Sequence, residues 1–309
     1  MIRVGPAVQT ALARGEPVVA LESTVVTHGL PRPDNLALGR RLEEVVRAHG
    51  AVPATVALVE GVLTVGIDDD AMRRLAERDV AKASLWNLAA LVAAGADAGT
   101  TVAATLFAAS RTGVAVFATG GLGGVHVEAF DESADLTALA RESVVTVCAG
   151  PKSVLNASAT LERLETAGVA VVGWRSERLA GFLTPHTDLV LSARCDTADQ
   201  VAATFHAQRD LGLAGALVLS RPEPEGLPND VLDDLLRAVH ADADAAGVRG
   251  KDVTPYLLRR LAERSEGATV RVNLRLLEGN AALGAEIAIA IARARTLRAA
   301  STSPNEVLA

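Results

Sequence analysis

The stretch VVTVCAGPKS, residues 144–153, decides the fold. Val144 to Cys148 is a short run without a charged side chain, the mark of a strand buried on both faces. It ends in a Gly-Pro turn, and Ser153 to Ala167 then reads as a helix. The same alternation repeats outward in both directions. Pro17–Leu21, Val114–Ala118, Val169–Gly173 and Ala216–Leu219 are strand-like. Thr55–Val59 and Val62–Ile67 flank Glu60-Gly61 as a hairpin. Helical periodicity covers Asp34–His49, with Asp34 as cap, Leu38, Leu42, Val45 and His49 on one face and Gly50 as the stop. Further helices are expected over 70–78, 85–94, 101–112, 198–211, 230–246, 255–264 and 281–298.

Apolar runs of about five residues between helices of about twelve predict an α/β fold. The expected architecture is an α/β/α sandwich, a mixed, largely parallel sheet covered by helices on both faces. Residues 1–300 are expected to form a single α/β domain, and residues 301–309, which lose periodicity, a disordered tail. The Pro-rich segment Arg221–Pro228 reads as a loop that could separate subdomains.

Composition narrows the function. The chain has 309 residues, half of them apolar, yet only 3% aromatic. A net charge of -7 argues against a nucleic-acid partner, and the scarcity of aromatics removes the stacking platforms of single-strand binders. Mean hydropathy is +0.27, but the longest uncharged stretch, Thr112–Val127, carries five glycines and a histidine and makes a poor membrane span. The N-terminus lacks the apolar core of a signal peptide. Cys148 and Cys195 stand far apart, so a reducing cytoplasm is the expected compartment.

In open α/β sheets, ligands bind beyond the carboxyl ends of strands. That rule selects Glu22-Ser23-Thr24, the loop Thr119–His126 (TGGLGGVH) and Ala149–Ser153. Lys152 is a nucleophile candidate if burial lowers its pKa, or an anion binder at a helix start, or a solvated lysine. Four loop glycines allow close backbone approach to a ligand, or only a tight crossover; His126 binds phosphate, moves protons or caps the turn. Asp131 and Asp135, four apart, could share a helix face and hold a divalent cation, or else the segment is an N-cap with first-turn acids. Glu22 is a general-acid candidate. Lys82, Thr100 and Thr101 suit a phosphate, and Asn273 an amide-bearing base, with surface roles open for each. Cys148 reads as core.

Several blocks together resemble pseudouridine-5'-phosphate glycosidases: ALESTVVTHGLPRPDN (Ala20–Asn35), GAVPATVALVEG (Gly50–Gly61), GTTVAAT (Gly99–Thr105), VFATGGLGGVH (Val116–His126), ESADL (Glu132–Leu136), VCAGPKS (Val147–Ser153) and VTPYLL (Val253–Leu258). The resemblance runs in order over nearly the whole chain. It implies reversible cleavage of the C–C bond between ribose 5-phosphate and uracil, through a lysine imine, with Mn²⁺, in a homotrimer. It implies Lys152 as nucleophile, Glu22 as proton donor and Asp131 as the metal ligand. It implies substrate contacts from Lys82, Thr101, Val102, Thr119, His126, Ser133, Ala134, Asp135 and Asn273. The implied partners are a sugar phosphate and a nucleobase, with no nucleic acid and no membrane.

The chain departs from the family pattern in places. Lys82 to Leu88 reads KASLWNL, placing Trp86-Asn87 where an Arg-Asp pair is usual. The segment His126–Asp131 is about three residues shorter than expected from the resemblance. Pro151 replaces a small residue, and Glu278-Gly279 stands where asparagine is common. Trp86-Asn87 motivates an alternative, a C-glycosynthase-like relative that joins ribose 5-phosphate to another aromatic or heterocyclic acceptor. A non-catalytic sugar-phosphate-binding protein is the third reading.

Overall fold

The computed structural model describes residues 2–127, 131–249 and 253–302. Its strands are β1 (Ile2–Val4), β2 (Val18–Leu21), β3 (Val52–Val59), β4 (Val62–Val65), β5 (Ala81–Ala83), β6 (Ala98–Thr100), β7 (Val116–Ala118), β8 (Val145–Cys148), β9 (Ala170–Trp174), β10 (Arg194–Cys195) and β11 (Leu217–Ser220). Its helices are α1 (Pro6–Arg14), α2 (Asp34–Ala48), α3 (Asp69–Glu77), α4 (Leu88–Ala93), α5 (Val102–Thr112), α6 (Ala134–Arg141), α7 (Ala157–Thr166), α8 (Ala198–Asp210), α9 (Asn229–Ala245), α10 (Val253–Arg264) and α11 (Ala268–Thr302).

The strand order is β1-β4-β3-β2-β7-β8-β11-β9-β10. Every pair from β3–β2 to β9–β10 is parallel. The second half of β3 pairs antiparallel with β4 on one side and β6 on the other, and β5 lies parallel to β6. The sheet is therefore mixed and largely parallel, as the apolar runs predict.

Both faces of the central strands are buried. Val19 and Leu21 of β2, with Val145 and Val147 of β8, pack with Leu38 and Leu42 of α2, Phe205 of α8 and Leu276 and Ile287 of α11. Val18, Ala20 and Cys148 face the other way, toward Val8 of α1, Leu106 of α5, Leu139 of α6 and Leu161 of α7. Each fully buried Leu on these faces contributes about 1.5–3 kcal/mol. Cys148 belongs to this core, where burial pushes its thiol up to about 12. Residues on both sides of the Arg221–Pro228 loop, Leu219 and Leu232 among them, share one cluster. The loop joins β11 to α9 across a continuous core.

Local readings change in several places. Asp34 is not the cap of α2 but its first residue, with Pro33 at the cap, and there its charge complements the helix dipole. His49 lies just past the helix and is exposed. The helix expected from Ser153 begins at Ala157, because the Asn156 side chain accepts the Ala159 N–H at 3.0 Å and sets the start there. α11 starts at Ala268, thirteen residues before the expected Ala281, and ends at Thr302. Of the expected disordered tail, residues 301 and 302 close that helix and 303–309 lie outside the described residues. No described helix is long and apolar enough to cross a membrane.

Candidate active site

The register of the parallel strands brings four chain ends to one rim. Leu21 pairs with Ala118, Ala118 with Val147, and Cys148 with Ser220. Glu22, Thr119, the Ala149–Lys152 turn and Arg221 therefore leave the sheet side by side. Glu22 is clamped there: one carboxylate oxygen accepts the Thr119 hydroxyl and the other the Thr24 hydroxyl. Beneath it, Ser23 is buried; its hydroxyl donates to the Val56 carbonyl at 2.6 Å and accepts the Thr100 N–H at 2.9 Å. The Thr100 hydroxyl also donates to Val56, at 2.6 Å, so it is committed to the core and not to a ligand.

Lys82 senses both this carboxylate and a second lysine, Lys152. Lys82 extends from β5 opposite Gly99 of β6, next to Thr101, whose N–H donates to the Ala83 carbonyl at 2.9 Å. Its side chain is solvent-accessible, yet protein on most sides desolvates the amine. That desolvation lowers its pKa; the charge of Lys152 lowers it further, while Glu22 and Asp135 oppose the shift. Lys82, Lys152, Glu22 and Asp135 thus form one electrostatic cluster. Among the described residues, neither lysine amine has a hydrogen bond or a close ion-pair partner.

Lys152 does not open a helix, so the helix-start anion reading does not hold for it. It sits in a turn pinned on both sides. Its N–H donates to the Leu122 carbonyl at 3.0 Å, and its carbonyl accepts from Leu155 at 2.9 Å. The Ser153 hydroxyl donates to the Gly181 carbonyl at 2.8 Å and accepts the Leu183 N–H at 3.1 Å. The backbone is fixed while the amine is free, a suitable mount for a nucleophile.

The glycine loop is buried, and its glycines serve packing. A Cβ at Gly123 would overlap Ser133 Oγ, and one at Gly124 would overlap Thr160 Oγ1. Several N–H groups of the loop already have acceptors. Leu122 donates to Gly150, Gly123 to Asp135 Oδ2 at 2.8 Å, and Val125 to Thr160 Oγ1 at 3.0 Å.

Ser133 caps α6, accepting the Asp135 N–H at 3.2 Å. Asp135 is buried and also accepts the Ala103 N–H at 3.0 Å, which ties the starts of α5 and α6 to the glycine loop. Asp131 lies before α6, so the two aspartates do not share a helix face, and the capping reading describes this segment. Instead Asp131 Oδ2 stands 3.9 Å from His126 Nδ1. No group of three or more His, Cys, Asp or Glu among the described residues is placed to hold a metal. One half-exposed carboxylate beside an imidazole fits a hard divalent ion that keeps most of its water, and does not fit a tetrahedral zinc site. Of the shortened segment, residues 128–130 lie outside the described residues.

Val102, the first residue of α5, is buried behind Thr101, whose hydroxyl caps that helix. Ala134, the first residue of α6, is half-buried. Asn273 is half-buried on α11. Two residues escaped the sequence reading. His28 ends a π-helical turn, Val25–Gly29, with Nδ1 2.6 Å from Thr27 Oγ1; desolvation lowers its pKa, and so does Lys82. It stands six residues after Glu22, in the same block. Asn280, two helical turns beyond Asn273, is buried against the glycine loop. An Asn next to Gly inside an apolar helix was the available signal.

A carboxylate held by two hydroxyls, in one electrostatic cluster with Lys82 and Lys152, can transfer protons, attack a carbonyl-like carbon and bind an anion. Known proteins resemble this chain throughout. The family described as "Indigoidine synthase A like protein" matches residues 7–290. A pseudouridine-5'-phosphate glycosidase from Thermus thermophilus is 52% identical over 277 residues, covering 90% of this chain and 98% of that protein. One from Salinispora tropica is 51% identical, covering 94% and 92%. Among solved structures, the prealnumycin C-glycosynthase AlnA in complex with ribulose 5-phosphate superposes with a TM-score of 0.90 at 32% identity, covering 96% of this chain and 99% of that one. An indigoidine synthase A-like protein from Thermotoga maritima gives 0.87 at 33% identity, covering 95% and 97%.

Proposed function

This chain belongs to the pseudouridine-5'-phosphate glycosidase family, and from that membership we propose that it cleaves the C–C bond between ribose 5-phosphate and uracil, reversibly, with Lys152 as nucleophile and Glu22 as proton-transfer group. The observation that carries the assignment of roles is the meeting of a hydroxyl-clamped Glu22 with two unpaired lysines on one rim.

A C–C glycoside has no leaving-group oxygen to protonate, so the two-carboxylate route of ordinary glycosidases does not apply. The Lys152 amine attacks C1 of the ribose; the N–C1 bond forms and the bond from C1 to the ring oxygen breaks. Glu22 takes the proton lost by the amine and delivers it to the ring oxygen. The nitrogen lone pair then forms the imine as the C1–uracil bond breaks, and the electron pair of that bond takes up a proton at the base carbon. Water hydrolyses the imine, releasing ribose 5-phosphate and the free amine.

Lys82, with Thr101 and Val102 at the start of α5, receives the 5-phosphate, and Ser133, Ala134 and Asp135 form the opposite wall. Thr119 and His126 border the sugar, and Asn273 faces the base. Mn²⁺ would be held by Asp131 with water, where it would supply positive charge toward an anionic substrate. The working unit is a cytoplasmic homotrimer.

The likeness to a C-glycosynthase, together with Trp86, motivates a second reading: synthesis from ribose 5-phosphate and another aromatic or heterocyclic acceptor. Mass spectrometry of products decides between them. Release of uracil and ribose 5-phosphate from pseudouridine 5'-phosphate, lost in Lys152→Ala, is the expected result. Turnover of other acceptors with none of uracil would favour the synthase.

A further inference from the structure

Thr119 holds Glu22, and Thr119 is itself held from behind. Its carbonyl and that of Gly120 accept hydrogen bonds from the Asn280 side-chain amide, at 2.8 and 3.3 Å. Asn280 is 0% exposed, in the middle of α11. Two carbonyl oxygens require the NH₂ end of the amide, and its oxygen end meets a donor, Arg221 Nη1, at 3.4 Å. The orientation of the amide is thus fixed from both ends.

Arg221 comes from the same rim, directly after β11. Its guanidinium is tied to Glu223 at 3.2 Å, both side chains being largely buried. It lies across Gly279, where a Cβ would overlap Arg221 Nη2. Leu276 and Leu277 reach the position a Gly120 Cβ would occupy within 3.3 and 3.1 Å, so α11 leaves no slack beneath the turn.

We propose that Asn280, oriented by Arg221 lying over Gly279, is a positioning residue for the reaction: it fixes the Thr119–Gly120 turn so that the Thr119 hydroxyl stays on Glu22. The inference rests on the reading of Glu22 as the proton-transfer group. An Asn280→Asp side chain has the same shape but sets a carboxylate oxygen against two carbonyl oxygens, replacing two hydrogen bonds with repulsion. The turn then shifts and Glu22 loses its alignment, and displacements of about 1 Å at a reacting group cost on the order of 100-fold in rate.

The test measures cleavage of pseudouridine 5'-phosphate and borohydride trapping of ribose 5-phosphate in Asn280→Asp, Gly279→Ala, Glu22→Gln and the double variant Glu22→Gln/Asn280→Asp. Asn280→Asp is expected to lower kcat roughly 10- to 100-fold with KM little changed and trapping on Lys152 retained. Because Asn280 acts through Glu22, the double variant is expected to be no slower than Glu22→Gln alone. Gly279→Ala, which displaces only Arg221, is expected to give a smaller loss of kcat in the same direction and keeps the test open if Asn280→Asp fails to fold. Additive losses in the double variant, an unchanged kcat in both single helix variants, or loss of trapping in step with kcat would overturn the inference. Absence of uracil release by the wild-type enzyme would instead refute the reading of the site, and this inference with it.

Discussion

At the residue scale, the strand-end rule picks out Glu22 and Lys152 because Glu22 directly follows an uncharged strand run and Lys152 lies in the short turn after another. It cannot reveal how they are tuned. The structure lowers the amine of Lys82, first by burial and then by the charge of Lys152 seventy positions away. The Asn-next-to-Gly signal at Asn280 does not disclose its role for a similar reason: its partners, Thr119 and Arg221, meet it only in three dimensions. The Lys82 shift has a definite sign. Its cationic form is disfavoured, so it loses its charge at lower pH than an ordinary lysine of about 10.4. If the cation binds the phosphate, kcat/KM falls on the alkaline side below that range. Lys82→Arg, which stays charged, is expected to move this limb to higher pH. A pH profile of kcat/KM checks it, and a limb that does not move would remove Lys82 from phosphate binding.

At the element scale, the buried parallel strands were legible because their composition admits no solvated face. Helix starts were less so. Ser153 looks like a start, but Asn156 supplies the cap, and the intervening turn is what presents Lys152. The first third of α11 was hidden because Arg271, Asn273, Arg275 and Glu278 interrupt its apolar pattern; Arg275 reaches the Glu225 carbonyl and Glu278 pairs with Arg41 of α2. β5 and β6, three residues each, are too short to leave a pattern. Asp135 fastens α5, α6 and the glycine loop together, accepting N–H groups of Ala103 and Gly123. Hydrogen bonds to a charged acceptor contribute about 1.5–3 kcal/mol each. Asp135→Ala is therefore expected to destabilise the protein by about 3–6 kcal/mol in urea unfolding. A loss below about 0.5 kcal/mol, the range of ordinary surface changes, would mean the clamp is dispensable.

At the scale of the whole molecule, a half-apolar chain with few aromatics builds its core from Ala, Val and Leu and leaves one tryptophan outside. Trp86 is 79% exposed, in the turn between Lys82 and α4. The proposed homotrimer would cover Trp86 at a subunit contact, close enough to Lys82 in sequence to link assembly with phosphate binding. Sedimentation equilibrium is expected to give a mass near three times 31.8 kDa, and Trp86→Arg to weaken the association. A wild-type monomer at micromolar concentration would contradict the trimer, and an undiminished trimer of the variant would place Trp86 elsewhere.

The central claim is that Lys152, and not Lys82, forms the imine. Its most direct test is borohydride reduction of the protein incubated with ribose 5-phosphate, followed by peptide mass spectrometry. The account predicts a single reduced adduct on the peptide carrying Lys152, absent from Lys152→Ala and retained in Lys82→Arg. An adduct on Lys82, or cleavage of pseudouridine 5'-phosphate by Lys152→Ala at the wild-type rate, would contradict it.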